Sequence, residues 1–334
     1  MSKNFGFITF LLVVVLLFSL LTVGYSAAED VLVLRYGELN PETHIMAKVG
    51  LELIRIIEEK SNGKIKVEFY PGSQLGDERT QLQSIQLGAL DLFRTNATNL
   101  GDFGAKKMNV VSLPYIFRDR EHLWNVLNSE LGEEIMNSCV EGNTKMIALG
   151  GLDEGARDFF FSKKFGKVES LADLKGAKIR VQQSEIMMDM VSALGAFPTP
   201  ISWGEVYSAL QTGVVDGAEN PPTGYLSQSF QEVAPYYIRD GHVYSPSFLV
   251  VSEITWNKLT DEQKRIIKES VKEAQVYNKR IAEEEDIAAI KEMKSYGVEI
   301  TEVPDKTPWQ EEVQPLYKKY GAEFTELIKK IQAK

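Results

Sequence analysis

VLVLRY at residues 31–36 is apolar and aromatic except for Arg35 and predicts a strand. Over residues 41–60, apolar side chains recur at helical spacing and predict a helix. The segment KIKVEFY at 64–70 alternates apolar and charged residues, which is typical of a strand with one polar face. Residues 77–87 predict a second helix and 89–94 a third strand. This β-α-β-α-β order predicts an α/β layer fold.

A second α/β pattern follows. It comprises predicted strands at 145–149, 155–161, 178–182, 214–218 and 248–252, and predicted helices at 171–176, 185–194 and 203–212. Residues 260–296 predict one long charged helix, which would extend over about 50 Å at 1.5 Å per residue. Because that length exceeds the diameter of a small domain, we expect the helix to run across two halves. No Gly- or Pro-rich linker separates the halves, so we expect the chain to cross between them more than once.

Composition excludes several classes of protein. Of 334 residues, 37 are Lys or Arg and 47 are Asp or Glu, which gives a formal net charge of −10. An acidic chain without a basic tract is a poor candidate for nucleic-acid binding. The single cysteine, Cys139, excludes an internal disulfide and cysteine-based metal sites, and three histidines leave little room for a histidine-rich one. We therefore predict no metal site and no nucleic-acid partner.

Common catalytic motifs are absent from the chain. No GxGxxG follows a predicted strand, and none of GxxxxGK[ST], GxSxG and HExxH occurs. The acidic run at 283–286 falls on the long charged helix, where a solvated face explains it better than a metal site. These features predict a binding protein that holds no cofactor and is not an enzyme.

The first 28 residues predict a secretory signal peptide. Lys3 provides a short basic start, residues 10–18 are continuously apolar, and Ser26 and Ala28 suit the −3 and −1 positions of a cleavage site. We predict cleavage near Ala28 and a periplasmic mature protein. The alternative is a retained membrane anchor, because about 18 apolar residues begin to suffice for a span. No cysteine lies near the cut, which excludes a lipoprotein anchor.

Four segments carry a resemblance to a known family: YPGSQLG at 70–76, QLGALD at 86–91, DLKGAKIRV at 173–181 and GEVYSALQTGVVDGAENP at 204–221. They resemble the DctP-type solute-binding subunits of tripartite ATP-independent periplasmic (TRAP) transporters, over nearly the whole mature chain. The resemblance implies a periplasmic binding protein-like fold, in which two α/β domains are joined by hinge strands and a long domain-spanning helix. It also implies capture of one organic acid and its delivery to the membrane subunits of a permease driven by an ion gradient.

The resemblance implies the following domain division: a signal peptide at 1–28, domain I at 29–154 plus about 245–275, and domain II at 155–244 plus about 276–334. We expect a monomer.

In domain II, the resemblance implies that Arg180 binds the ligand carboxylate. Ile179 and Val181 take one face of the predicted strand, so Arg180 lies on the other. A surface arginine is the alternative reading. Asn220 matches a family asparagine beside that arginine, although asparagine before Pro221 also suits a turn.

Two further residues of domain II match ligand contacts of the family. Arg157 matches a second basic contact, and its alternative is a loop arginine paired with Asp153 or Asp158. Trp203 occupies a position where the family often places an aromatic ring against the ligand, and its alternative is a core aromatic at a helix start.

Domain I is expected to supply polar contacts. Arg94 and Asn96 follow a predicted strand end, a usual place for ligands in open α/β sheets, and Asn96 matches a contact position of the family. Glu78 and His44 match further contact positions. Their alternatives are an acidic residue at a helix N-terminus and a residue near a helix start, respectively.

The ligand class follows from these residues. Arg180 and Asn220 indicate a carboxylate, while the polar set of domain I indicates additional hydroxyls or a second anionic group. The strings RVQQS at 180–184 and LGAFPTP at 194–200 resemble the uronate-binding branch, whereas PPTGY at 221–225 departs from it. We therefore expect a hexuronate such as glucuronate or galacturonate. The alternatives are another sugar acid or a C4-dicarboxylate, ligand sensing for a membrane receptor, and an exported hydrolase or lyase.

Overall fold

A computed structural model describes residues 31–244 and 246–334 of the chain. The predicted signal peptide lies outside the described residues. In the part of the chain that is described, no helix is both long enough and apolar enough to cross a membrane.

The described strands form two mixed sheets. The first has the order β2-β1-β3-β10-β4, built from β1 (Leu32–Gly37), β2 (Ile65–Tyr70), β3 (Leu92–Asn96), β4 (Met146–Leu152) and β10 (Ser247–Ser252). The second has the order β11-β9-β5-β8-β6-β7, built from β5 (Arg157–Phe161), β6 (Lys178–Val181), β7 (Phe197–Pro200), β8 (Gly217–Asn220), β9 (Tyr236–Val243) and β11 (Glu299–Glu302). We call the elements around the first sheet lobe I and those around the second sheet lobe II.

The described helices flank these sheets: α1 (Ile45–Lys60), α2 (Glu78–Gln86), α3 (Ala97–Asp102), α4 (Lys107–Val110), α5 (Arg120–Leu127), α6 (Glu130–Glu141), α7 (Glu185–Ala193), α8 (Val206–Thr212), α9 (Pro222–Ser227), α10 (Glu253–Lys258), α11 (Asp261–Ser295), α12 (Thr307–Glu312), α13 (Gln314–Gly321) and α14 (Thr325–Gln332). Short 3₁₀ turns occur at Leu171–Leu174, Trp203–Glu205, Phe230–Glu232 and Ala322–Phe324.

Burial patterns explain why these segments form strands. In β2, Ile65 and Val67 are buried while Lys66 and Glu68 are exposed, as the alternation predicts. All six residues of β10 are buried, because this strand lies between β3 and β4 inside its sheet. The α/β fold class is therefore confirmed, with one sheet at the centre of each lobe.

The chain crosses between the two sheets three times within its described part. It passes from β4 to β5, returns from β9 to β10, and passes again through α11 to β11. The 35 residues of α11 begin after a capping box of Thr260 and Gln263, and Gly297, with φ +79°, follows their end. This helix contacts α1 and β4 of lobe I and α9 of lobe II, which confirms the domain-spanning helix.

Several predicted boundaries were wrong by a few residues. The first helix begins at Ile45 rather than 41, because His44 is its N-cap and accepts a hydrogen bond from Met46 N. The predicted strand at 89–94 lies at Leu92–Asn96, and the one at 214–218 lies at Gly217–Asn220. Both shifts move polar residues into the strands, because pairing with neighbouring strands outweighs the preference for apolar residues.

Two further interpretations need correction. Residues 203–212 form a 3₁₀ turn followed by α8, not one continuous helix. The acidic run at 283–286 is not wholly solvated, because Asp286 pairs with Arg120 of lobe I. Arg120 also pairs with Asp153, at 2.5 Å, so this ion-pair cluster ties α11 to lobe I beside the β4–β5 crossing.

The division into domains by residue number stays a prediction. The C-terminal helix α14 contacts α6 of lobe I, and the buried His122 ring forms a hydrogen bond with the carbonyl of Ile331 at 2.7 Å.

Candidate functional site

A cleft lies between the two lobes and brings most of the predicted site residues together. Seven of the eight line it, namely Arg180, Asn220, Arg157, Trp203, Asn96, Arg94 and Glu78. The eighth, His44, is buried nearby but does not line it. Strands β6 and β8 are parallel neighbours and bring Arg180 and Asn220 to the cleft near their carboxyl ends, and β3, which is parallel to β1, brings Arg94 and Asn96. Arg157 begins β5, Glu78 begins α2 and Trp203 lies in a 3₁₀ turn.

Arg180 is buried at the carboxyl end of β6. Its Nε donates a hydrogen bond to the carbonyl of Ile201 at 2.8 Å, and its guanidinium lies over the ring of Trp203. In the described part of the chain, no carboxylate comes within 4 Å of this guanidinium and its two Nη groups make no hydrogen bond. Burial lowers the pKa of Arg180 to about 10, and Arg157 contributes in the same direction. Arg180 therefore stays protonated at neutral pH and is buried without a counter-charge.

Arg157 does have a counter-charge, and it is neither of the two aspartates considered from the sequence. Its guanidinium forms a two-point ion pair with Glu219, with Nη2 donating to Oε1 at 2.9 Å and Nε donating to Oε2. Burial would raise the pKa of Glu219, but Arg157 and His242 outweigh it and lower that pKa to about 2. Arg157 lines the cleft, but its positive charge is already paired with the carboxylate of Glu219.

His242 lies behind this pair, between two carboxylates. Its Nδ1 is 2.8 Å from Asp240 and its Nε2 is 3.5 Å from Glu219. Burial disfavours the charged ring, yet Asp240 and Glu219 raise the pKa of His242 to about 9. The imidazolium therefore balances the second carboxylate of this buried network.

Asn220 ends β8 next to the Arg157–Glu219 pair. Its Oδ1 is buried and accepts no hydrogen bond from the described residues, and its carbonyl accepts one from Tyr237 at 2.9 Å. The side chain packs against Gly224 so closely that a Cβ there would overlap Oδ1. The PPTGY segment at 221–225 thus supplies the glycine that the placement of Asn220 requires.

Trp203 both lines the cleft and packs against a core aromatic ring. It lines the cleft and contacts Arg180, with the guanidinium carbon 5.3 Å from the ring centre. It also packs edge-on against the core ring of Phe230, with centroids 5.5 Å apart. Packing on Phe230 fixes the indole plane that faces the cleft.

On the lobe I side, Arg94 is paired with two carboxylates. It contacts Glu38 through Nε at 3.0 Å and Nη2 at 2.5 Å, and Nη1 lies 3.6 Å from Glu154. Nη1 also donates to Asn96 Oδ1 at 3.1 Å. Burial works against the charge of Arg94, but Glu38 and Glu154 hold its pKa above the usual value. Arg94 is therefore not a free cation.

Glu78 and His44 complete the lobe I side. Glu78 begins α2, accepts a hydrogen bond from Thr95 Oγ1 at 2.7 Å, and has a pKa raised by burial. His44 is neutral, since burial lowers its pKa to about 3. Its Nδ1 accepts a hydrogen bond, so the proton lies on Nε2, which is 3.9 Å from Glu154 and forms no hydrogen bond with the described residues.

Polar contacts between described residues join the lobes across the cleft. Gln182 of lobe II donates a hydrogen bond to Thr98 Oγ1 of lobe I. Ser202 of lobe II donates to Asp77 of lobe I at 3.4 Å. The described cleft is thus closed by direct polar contacts on the side where these residues lie.

Sequence reasoning missed Glu38, Glu154 and Glu219, which carry the counter-charges. Glu38 directly follows β1, Glu154 is the second residue after β4, and Glu219 lies inside β8. For Glu38 and Glu154, the position of an acidic residue just after a strand was a sequence signal that pointed to the site. No group of three or more His, Cys, Asp or Glu side chains within the described segments could hold a metal ion.

Comparison with known proteins gives the family of the chain. Residues 36–323 match the family described as "Bacterial extracellular solute-binding protein, family 7", DctP. The chain belongs to the DctP family. A TRAP periplasmic solute-binding protein from Pseudomonas putida F1, solved with bound D-glucuronate, has the same fold with a TM-score of 0.87. It is 34% identical, over 91% of this chain and 97% of its own.

Two further DctP relatives bear on the ligand. A TRAP solute-binding protein from a Bradyrhizobium species, in complex with D-galacturonate, is 33% identical, over 90% of this chain and 99% of its own, with a TM-score of 0.86. The C4-dicarboxylate-binding periplasmic protein DctP of Rhodobacter capsulatus is 29% identical, over 92% of this chain and 93% of its own. DctP proteins are the binding subunits of transporters, which confirms the prediction that this chain is not an enzyme.

Proposed function

We propose that this protein captures a sugar acid with a single carboxylate and hands it to the membrane subunits of a TRAP permease. The best candidate ligand is a hexuronate such as D-glucuronate or D-galacturonate, which two solved relatives hold. In this proposal the protein is exported with cleavage near Ala28, acts in the periplasm as a monomer, and closes about its hinge strands. Closure is driven by the higher affinity of the closed form for the ligand.

The observation that carries the proposal is the unmatched charge of Arg180. A buried guanidinium is costly without a partner, and its planar fork matches the two oxygens of a carboxylate. Asn220, at the end of the adjacent parallel strand, has a buried Oδ1 with no partner among the described residues, and it suits a neighbouring ligand hydroxyl. A carboxylate on Arg180 would satisfy the one cleft guanidinium that has no acidic partner in the described residues.

A C4-dicarboxylate is the second candidate, since the Rhodobacter capsulatus relative is named for that ligand class. Arg94 and Arg157 also line the cleft and supply further guanidinium groups. Each of them is already paired, with Glu38 and Glu219 respectively. The charge arrangement therefore favours one ligand carboxylate over two.

A thermal-unfolding screen of the mature protein tests the proposal. The ligands are D-glucuronate, D-galacturonate, succinate and, as a neutral control, D-glucose. A ligand present at 100 times its Kd adds about 2.7 kcal/mol to the free energy of unfolding. We expect stabilisation by a uronate and none by glucose. Stabilisation by none of the acids would contradict the proposed function.

A further inference from the structure

The two sides of the cleft carry opposite net charge. On the lobe II side, Arg157 and Glu219 cancel each other and Arg180 leaves one positive charge. On the lobe I side, Arg94 faces both Glu38 and Glu154. One guanidinium cannot neutralise two carboxylates, so this side has an excess of negative charge. Glu78, whose pKa burial raises, adds a third carboxyl group there.

Glu38 and Glu154 differ in how fully they are engaged. Glu38 is completely buried, makes two contacts with Arg94, and accepts hydrogen bonds from the backbone and side-chain amides of Asn40 at 3.0 and 2.9 Å. Glu154 lines the cleft and is 6% exposed, and its Oε2 accepts no hydrogen bond from the described residues. Glu38 is therefore the structural partner of Arg94, whereas Glu154 lines the cleft and has one carboxylate oxygen without a hydrogen-bond donor among the described residues.

We propose that Glu154 makes the cleft select for ligands with one carboxylate, by placing a negative charge where the far end of the ligand lies. A ligand held by its carboxylate on Arg180 extends towards the lobe I side. There a hydroxyl can donate a hydrogen bond to Glu154, whereas a second carboxylate meets like charge in a site of low dielectric. Arg94 cannot offset this repulsion because its charge is already committed to Glu38. This inference rests on the proposed function and specifies its substrate class.

Variants of Glu154 can distinguish two ways in which the cleft could exclude a dicarboxylate, namely charge repulsion and lack of space. A side chain that excluded dicarboxylates only by its volume would do so equally as glutamate or as glutamine. A charge-based filter is weakened by Glu154→Gln, which keeps the volume, and is retained by Glu154→Asp, which keeps the charge. In the glutamine variant Arg94 also loses one of its two carboxylate neighbours and is freer to attract a ligand anion.

The experiment compares each uronate with the acid formed by oxidising its terminal aldehyde carbon to a second carboxylate. The pairs are D-glucuronate with D-glucarate and D-galacturonate with galactarate, and the tighter-binding uronate of wild type selects the pair. Dissociation constants are measured by calorimetry for wild type, Glu154→Gln, Glu154→Asp and, as a surface control on α11, Glu284→Gln. Each variant's thermal unfolding is recorded to verify its fold.

We expect wild type to prefer the uronate over its dicarboxylate counterpart by at least tenfold. Glu154→Gln is expected to narrow that preference at least fivefold, while Glu154→Asp and Glu284→Gln leave it within twofold. A preference unchanged in Glu154→Gln overturns the inference and leaves the proposed function intact. Equal affinity of wild type for both acids overturns it as well, even if the glutamine variant does not fold. Absence of binding to either uronate contradicts the proposed function itself.

Discussion

The guanidinium carbon of Arg180 lies 5.3 Å from the centre of the Trp203 ring. A planar cation over an aromatic face is stabilised by about 0.5–2 kcal/mol, and more strongly where water is excluded. The carbonyl of Ile201 accepts a hydrogen bond from Nε of the same guanidinium. These two contacts fix the orientation of Arg180 without supplying a negative charge, so its Nη groups remain the natural partners of a ligand carboxylate.

Replacing Trp203 with leucine is therefore expected to weaken uronate binding. Loss of about 0.5–2 kcal/mol corresponds to roughly a 2- to 30-fold rise in Kd. Trp256→Leu is the matched control, because Trp256 lies beneath Lys264 and Lys268, outside the cleft lining. Calorimetric titration of both variants checks the prediction. A Kd that rises equally in both would assign the effect to a general loss of packing.

Gly224→Ala is expected to displace Asn220, because a Cβ at this position would overlap Asn220 Oδ1. We expect uronate affinity to fall at least tenfold, since the displaced amide loses its place beside Arg180. Gly204→Ala is the control, because no atom other than those of its two chain neighbours lies within 4 Å of a Cβ built there. Dissociation constants of the two alanine variants are compared with wild type. Undiminished affinity in Gly224→Ala would remove Asn220 from the ligand contacts.

The buried His242 makes stability depend on pH. Burial lowers the pKa of His242, but the carboxylates of Asp240 and Glu219 raise it by more. The pKa in the folded protein is therefore about 9, above the ordinary value of 6.5. The folded state thus gains stability from the proton below pH 6.5 and loses it as the pH rises through 9. The full contribution is about 3 kcal/mol.

This pH dependence is measured as the free energy of unfolding in denaturant from pH 6 to pH 10. The stability of wild type should fall more steeply over this range than that of His242→Gln, whose side chain does not titrate. Parallel curves for the two proteins would contradict a charged His242 at neutral pH.

Regular elements were predictable where one physical signal dominated. The long helix was expected at 260–296 and lies at Asp261–Ser295, because its capping residue and terminal glycine flank an unbroken helical pattern. Strand β8 begins three residues and ends two residues later than predicted, because Glu219 and Asn220 are typical of a turn before Pro221. Their strand conformation comes from pairing with β5, where Phe159 faces Glu219 and Asp158 faces Asn220. Pairing between segments distant in sequence is not encoded locally.

The sequence predicted which residues line the candidate site but not which of their charges are paired. Seven of the eight predicted residues line one cleft, yet the sequence left open whether Arg94 marks a second anionic group of the ligand. That question depends on Glu38, 56 residues earlier in the chain, and on Glu154. Ion pairs between separate strand ends appear only when the sheets are assembled, and here they pair Arg94 with two carboxylates.

Calorimetric titration of Arg180→Ala with D-glucuronate or D-galacturonate tests whether Arg180 binds the ligand carboxylate. Removing the partner of a buried charge costs about 2–5 kcal/mol, so we expect a Kd at least roughly 30-fold above that of wild type. Arg265→Ala, on the exposed side of α11, should bind as wild type does. Uronate affinity in Arg180→Ala equal to that of wild type would contradict the account.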